Sequence, residues 1–353
     1  MIKNKVLIIA PYQFGELSDC YYWAKYASLE GWKVTYIGYK YANRPIKERK
    51  CKGVHVIGVH HFNNRYLLGL CFFFTIIYEI IIHKHNNIIA CKFPYADKLS
   101  SLFPHKNLIL DIRTLSIDKS KEVREQADIQ LKNMAKKFKH CSVISEGVRK
   151  KLGIKADILP LGAECISKTS KDFSDLKLFY IGTFNNRQLV IFLKGVALFY
   201  QKYNIPISFD LVGGGNEEEE TKLKQEIKNK KLKNVTLHGY LTHDEAQKFF
   251  DTCNVGVCYI PITEYYEHQP PTKLYEYLLS GMVCIATKTK SNQDVINENL
   301  GVLTEDNEHS ICESIYQLYL QRKNYSSAKI VSETKKYHWK YVIKNIFLKL
   351  FNK

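Results

Sequence analysis

The residues that could do chemistry are densest in His268-Gln-Pro-Pro-Thr-Lys-Leu-Tyr-Glu276-Tyr-Leu-Leu-Ser-Gly281. Pro270 and Pro271 fix an extended entry, and a helix is expected from Thr272 to Ser280 with Gly281 as its stop. Such a start turns the amides of Thr272, Lys273 and Leu274 outward, where hydrogen bonding and the helix dipole favour a phosphate; Lys273 adds a charge there. Glu276, one turn in, could accept hydrogen bonds from vicinal sugar hydroxyls. A plain strand–helix–strand unit with a solvated Glu276 would read the same way. A second group is Phe179-Tyr-Ile-Gly182-Thr-Phe-Asn-Asn-Arg187, a strand ending in a glycine turn with an arginine beyond it. Open α/β sheets bind ligands at the carboxyl ends of their strands, and a guanidinium fork suits phosphate. An exposed loop arginine is the alternative. Asp210-Leu-Val-Gly213-Gly-Gly215 is a strand running into glycines without the full dinucleotide spacing, so it reads as a turn near a ligand. Asp111 and Arg113, in Leu-Asp-Ile-Arg-Thr, are either acceptor-side groups, with Asp111 catalytic, or a structural ion pair.

Elements that would position these residues recur along the chain. Apolar runs of four to seven residues alternate with longer segments of helical period, the pattern of βαβ units and parallel sheets. Strands are expected at Val6–Ala10, Val34–Ile37, Val54–Val59, Ile88–Cys91, Leu108–Asp111, Ser142–Ile144 and Asp157–Leu159. The first helix is expected over about Asp19–Glu30. Ala163–Asp175 is polar, lacks periodicity and reads as a linker. Beyond it, Leu178–Ile181, Ser208–Val212, Val235–Leu237, Val255–Cys258 and Val283–Ala286 are five more strands. The expectation is two α/β sheets in series.

A length of 353 residues suits two domains, and 45% hydrophobic with 25% charged residues is globular composition, against disorder or a polytopic membrane protein. The net charge of +17 is lopsided: residues 1–165 hold 27 basic and 14 acidic side chains, so an anionic partner is expected on that half. Ten cysteines without a C-x-x-C pair, and no apparent secretory signal, lead to an expected cytoplasmic location. Cys71, Cys141, Cys258 and Cys284 lie in apolar runs and read as small hydrophobes. The segment Tyr66–Ile82 is almost wholly apolar but contains Glu79. It is either a core helix or a helix lying in a membrane interface, with the basic cluster Arg44–Lys52 supporting the second.

Five pieces in order then carry a resemblance: strand-Gly182-Thr…Arg187; Leu-Val-Gly-Gly-Gly; Val-Thr-Leu-His-Gly239-Tyr-Leu241; Pro-Thr-Lys-Leu-Tyr-Glu276-Tyr-Leu-x-x-Gly; and, upstream, Val143-Ile-Ser-Glu-Gly147-Val-Arg with Ile158-Leu-Pro-Leu-Gly162. Together they resemble family 4 glycosyltransferases, retaining enzymes of GT-B architecture, well over residues 140–300 and loosely before. The resemblance implies an α/β fold of two Rossmann-like domains with an interdomain cleft. Residues 1–165 would face acceptor and membrane, 166–332 would bind the nucleotide sugar, and 333–353 would be a C-terminal helix returning toward the first domain. By the same resemblance, Arg187 binds the donor diphosphate, Glu276 holds the ribose, Gly239, Tyr240 and Leu241 lie beside the nucleobase, and Gly15 lies near the phosphates. His268 stands where the family's motif has its first glutamate, eight residues before Glu276, and Glu267 substitutes only if the loop shifts.

The implied reaction moves a sugar from a nucleotide-diphosphate donor to a glycan or lipid-linked acceptor with retention. Arg187, Lys273 and the helix start at Thr272–Leu274 would stabilise the leaving group, with Gly182 beside them, and no metal is expected. Partners would be the donor, the acceptor and an anionic membrane surface, with the chain peripheral at the inner face of the cytoplasmic membrane. Nucleic acid is disfavoured, since the basic residues form no recognised module. Rival readings are a nucleotide-sugar epimerase using His268, and a non-catalytic protein that binds a nucleotide sugar or a membrane.

Overall fold

The computed structural model describes residues 4–41 and 49–352, so Arg44 and Lys47 of the basic cluster lie outside the described residues. The chain forms two compact units, one of Met1–Leu161 with Trp339–Lys353 and one of Gly162–His338. Each is built on a parallel sheet whose inner strands are buried on both faces and read as apolar runs, while the edge strands β3, β7 and β10 are only partly covered.

Unit 1 contains β1 (Lys5–Ile9), β2 (Lys33–Lys40), β3 (Val54–His60), β4 (Asn87–Cys91), β5 (Asn107–Ile112), β6 (His140–Val143) and β7 (Asp157–Ile158). Their order in the sheet is β3-β2-β1-β4-β5-β6-β7, all parallel, so the direction of winding reverses between β1 and β4. Helix α1 (Ser18–Leu29) buries Cys20, Trp23, Ala24 and Ala27, a 3.6-period stripe, and ends at Gly31 with φ +86°. Trp23 stacks on Phe347 from the chain's last segment, at 5.4 Å between ring centroids. That segment was expected to be one helix. It is instead a helical turn (Trp339–Val342) followed by π and 3₁₀ turns through Asn352, and the changes of pitch place Trp339, Ile343, Phe347 and Leu350 inward together. Helices α2 (Arg65–Ile82), α3 (Ala96–Leu102), α4 (Lys121–Ala135) and α5 (Glu146–Leu152) complete the unit. Cys71, expected to be buried, is exposed on α2.

Unit 2 holds β8 (Lys177–Ile181), β9 (Ser208–Val212), β10 (Val235–Leu237), β11 (Val255–Cys258), β12 (Val283–Thr287) and β13 (Gly301–Thr304), in the order β10-β9-β8-β11-β12-β13. The sixth strand, β13, goes beyond the five expected. Winding reverses between β8 and β11, and ligands of open α/β sheets bind at that kind of switch point. Helices α6 (Leu189–Tyr203), α7 (Glu217–Asn229), α8 (His243–Thr252) and α9 (Thr272–Leu279) alternate with these strands. The polar stretch read as a linker is irregular but tied down. Asp251 accepts from the Lys168 amide and Ser167 Oγ, Ser280 Oγ accepts from the amides of Ile166 and Ser167, and Lys171 Nζ donates to the Phe250 carbonyl. Its polarity serves hydrogen bonds rather than solvent.

Candidate functional site

Three strand-end loops of unit 2 are laced together by main-chain hydrogen bonds. Gly182 N–H donates to Val212 O at 3.0 Å, Gly213 N–H to Gly239 O at 2.8 Å, and Phe184 N–H to Gly214 O at 2.9 Å. Gly213 has φ +143°, and a Cβ there would lie 1.8 Å from the Gly182 carbonyl oxygen, so only glycine lets the loops after β8 and β9 meet. The glycine run is therefore a junction between turns, and α7 begins only at Glu217, four residues past Gly213.

Two cations are brought to this edge. Arg187 follows β8 and lies over the ring of Tyr266, 4.9 Å from its centroid. Lys273, in the first turn of α9, lies over Tyr180 with Nζ 3.6 Å from the centroid, in room left by Gly182, whose Cβ would come within 3.1 Å of that nitrogen. Lys273 Nζ and Arg187 Nη1 are both enclosed and have no hydrogen-bond partner. Burial, with the Arg187 charge adding to it, pushes the Lys273 ammonium down to about 7, while Cys258 and Glu276 oppose the shift. Two neighbouring cationic side chains with enclosed nitrogens that no hydrogen bond satisfies are costly unless an anion joins them. The aromatic walls were not legible in the sequence. Tyr180 is a strand residue and Tyr266 a loop residue, and neither belongs to a spaced pattern.

Other residues singled out from the sequence are placed as follows. Glu276 is half-buried on α9, one turn beyond Lys273. Thr272 is exposed at the helix start. Leu274 was expected to offer a free amide. Its N–H instead donates to the Pro271 carbonyl at 3.2 Å and its side chain is fully buried, because the proline cap closes the first turn tightly. The outward amides reduce to those of Thr272 and Lys273. His268 is half-buried in the loop before α9. Glu267 caps another helix, its carboxylate accepting from the Lys290 amide at 3.0 Å and its carbonyl from the Ser291 amide, so it is not held ready to replace a missing carboxylate. Gly239 has φ +71° and is followed by an exposed Tyr240 and a half-buried Leu241. Behind that loop, His238 Nε2 pairs with Asp210 Oδ1 at 2.6 Å.

Asp111 and Gly15 belong to unit 1. Asp111 is buried, accepts from Ser142 Oγ at 2.6 Å and lies 3.7 Å from Arg113 Nε. Arg113 donates to Asp19 Oδ2 at 2.6 Å and to the Leu159 carbonyl at 2.7 Å, tying α1 to the end of β7. Burial pushes the Asp111 carboxyl up to about 6, against the pull of Arg113 and Ser142. The ion pair is thus present. It borders a cavity of about 380 Å³ that also has Tyr12, Lys92, Thr114 and Ser116 in its wall. Gly15, at φ +91°, is packed under the Arg49 side chain. Among the described residues no three His, Cys, Asp or Glu side chains are gathered to hold a metal ion.

Residues 175–321, which contain Arg187, Lys273 and Glu276, match the family model described as glycosyl transferases group 1. The matched segment lies within the second unit. No curated protein matches the chain. Among solved structures, sucrose-phosphate synthase from Thermosynechococcus elongatus is similar at TM-score 0.75 and 14% identity, covering 99% of this chain and 100% of its own. The lipopolysaccharide outer core galactosyltransferase WaaB, in its apo form, gives 0.72 and 12%, covering 99% of both chains. Anabaena HepE, solved in complex with UDP and glucose, gives 0.69 and 12%, covering 99% of this chain and all of its own. The matched segment thus sits in a chain with the two-unit GT-B fold from end to end, and the likeness at these identities is one of fold.

Proposed function

We propose that the chain transfers a glycosyl group from a nucleoside diphosphate sugar to a glycan or lipid-linked acceptor with retention of configuration, without a metal. The observation that carries this reading is the pair of enclosed, unpartnered nitrogens at the β8/β11 switch point. A donor diphosphate would supply the missing anion, and the same cations would stabilise the charge that grows as the anomeric carbon–oxygen bond to phosphate breaks. The acceptor hydroxyl would form the new bond on the same face and pass its proton to the departing phosphate oxygen, so no dedicated protein base is needed. Glu276 would hold the ribose, Gly239–Leu241 would border the base, and His268 would lie toward the sugar. The cavity beside Asp111 is the proposed acceptor side. Two similar structures were solved with UDP and glucose and with UDP-2-fluoro glucose, which supports a uridine donor.

The test is thermal unfolding with UDP, GDP and ADP, followed by turnover of the sugar form of whichever stabilises, since a ligand of the folded state raises its stability by mass action. Stabilisation lost in Arg187→Ala supports the site. Stabilisation without any turnover, across a range of glycan and lipid-linked acceptors, would favour a non-catalytic binder.

A further inference from the structure

Helix α2 carries two apolar faces, and only one of them is used. Leu68, Phe72, Ile76 and Ile80 are buried in unit 1, with the Phe72 ring 4.8 Å from that of Tyr39 and 5.3 Å from that of Phe93. On the opposite side Tyr66, Leu70, Phe74, Tyr78 and Ile81 are between 41% and 80% exposed. Their spacing of four, four, four and three residues makes one continuous stripe about 22 Å long at 1.5 Å per residue. Tyr95, its ring 6.0 Å from Phe73, widens it. Single exposed apolar residues are ordinary, whereas a continuous strip marks a contact surface.

We propose that this stripe docks on an anionic lipid surface, with α2 lying in the membrane plane while its other face stays in unit 1. Charge complementarity argues for lipid. Exposed Arg65 and Lys84 bracket the stripe, Glu79 is the helix's only acid and is turned inward, and the first 165 residues carry 13 more basic than acidic side chains. Basic residues beside an apolar stripe with tyrosines suit the headgroup layer. Glu79 argues against spanning. It is buried, with Oε1 3.1 Å from His85 Nε2 and Oε2 3.6 Å from His83 Nε2. Crossing a bilayer would strip α2 from unit 1 and carry that carboxylate into hydrocarbon. The stripe belongs to unit 1 and the proposed donor cations to unit 2, so failure of this proposal would leave the UDP-binding test standing.

The test is co-sedimentation of the full chain with vesicles of phosphatidylcholine alone and of phosphatidylcholine mixed with phosphatidylglycerol. Binding to the mixed vesicles only, released by high salt, is expected. The double variant Leu70→Gln/Phe74→Gln should bind at least tenfold more weakly with its thermal unfolding unchanged. In a Phe74→Trp variant, lipids brominated in the acyl chain should quench the new emission. Equal binding to both vesicle types, no binding to either, or absence of quenching would overturn the proposal. So would extraction by detergent alone, which would mean insertion. A lipid-free dimer abolished by the double variant would also overturn it, by assigning the stripe to a second copy.

Discussion

Arg113 in unit 1 and Arg187 in unit 2 each follow a strand's carboxyl end in a parallel sheet, yet their surroundings differ. Arg113 donates to Asp19 and to the Leu159 carbonyl and faces Asp111. Each arginine has one enclosed nitrogen without a partner, Nη2 of Arg113 and Nη1 of Arg187, but Arg187 faces a tyrosine ring in place of a carboxylate and has a second cation, Lys273, nearby whose Nζ is also unpartnered. The first arrangement spends the arginine on holding elements together. The second holds positive charge in reserve. An arginine beyond a strand's carboxyl end is spent on structure or left available to a ligand according to whether its counter-ions come from the chain.

The largest expected effect breaks the first arrangement. Arg113→Ala leaves Asp19 and Asp111 buried without their cation and should cost about 3–5 kcal/mol of stability, read from denaturant unfolding. UDP should still stabilise whatever folds. Arg187→Ala should do the reverse. Unfolding in the absence of ligand stays where it was or improves, while UDP affinity falls by about 1.5–3 kcal/mol, roughly ten- to a hundredfold, in a calorimetric titration. Glu276→Ala should act in the same direction through the ribose. An Arg187→Ala protein that unfolds easily but binds UDP normally would erase the contrast.

Much of this was open to sequence reading, and the limits have physical causes. The inner strands were legible because burial on both faces leaves apolar runs, whereas β13 (Gly301–Thr304) was passed over although it is no shorter than Val235–Leu237. Arg187, Lys273 and Glu276 stood out through turn and helix-start signals close to them in sequence. The partner of Arg113 did not, since Asp19 is 94 residues away and no local pattern links them. A helix apolar all round carries no phase, so nothing in Tyr66–Ile82 told which side would be covered. Cys71 accordingly fell on the open side. The Leu274 amide was misjudged because a proline cap tightens the first turn.

A smaller effect sharpens the comparison through pH. Folded Lys273 titrates near 7, whereas an unfolded lysine titrates near 10.4. Between those values the unfolded chain binds the extra proton, so stability without ligand should rise with pH from about 7 to 10. Lys273→Met should flatten that rise. Arg113 provides no counterpart in this window, since its charge is already compensated. Smaller still is the expected effect of His268→Ala, a change in sugar-donor KM with UDP affinity unaltered, measured by comparing the sugar nucleotide with UDP itself.

The central claim is that an anion completes the Arg187–Lys273 pair, and proton uptake tests it most directly. UDP titrated calorimetrically at pH 8, in two buffers of different ionisation enthalpy, should draw up to about one proton onto the protein as the diphosphate restores the Lys273 charge. The uptake should vanish in Lys273→Met. UDP binding with no proton uptake, or with uptake unchanged in that variant, would contradict the account.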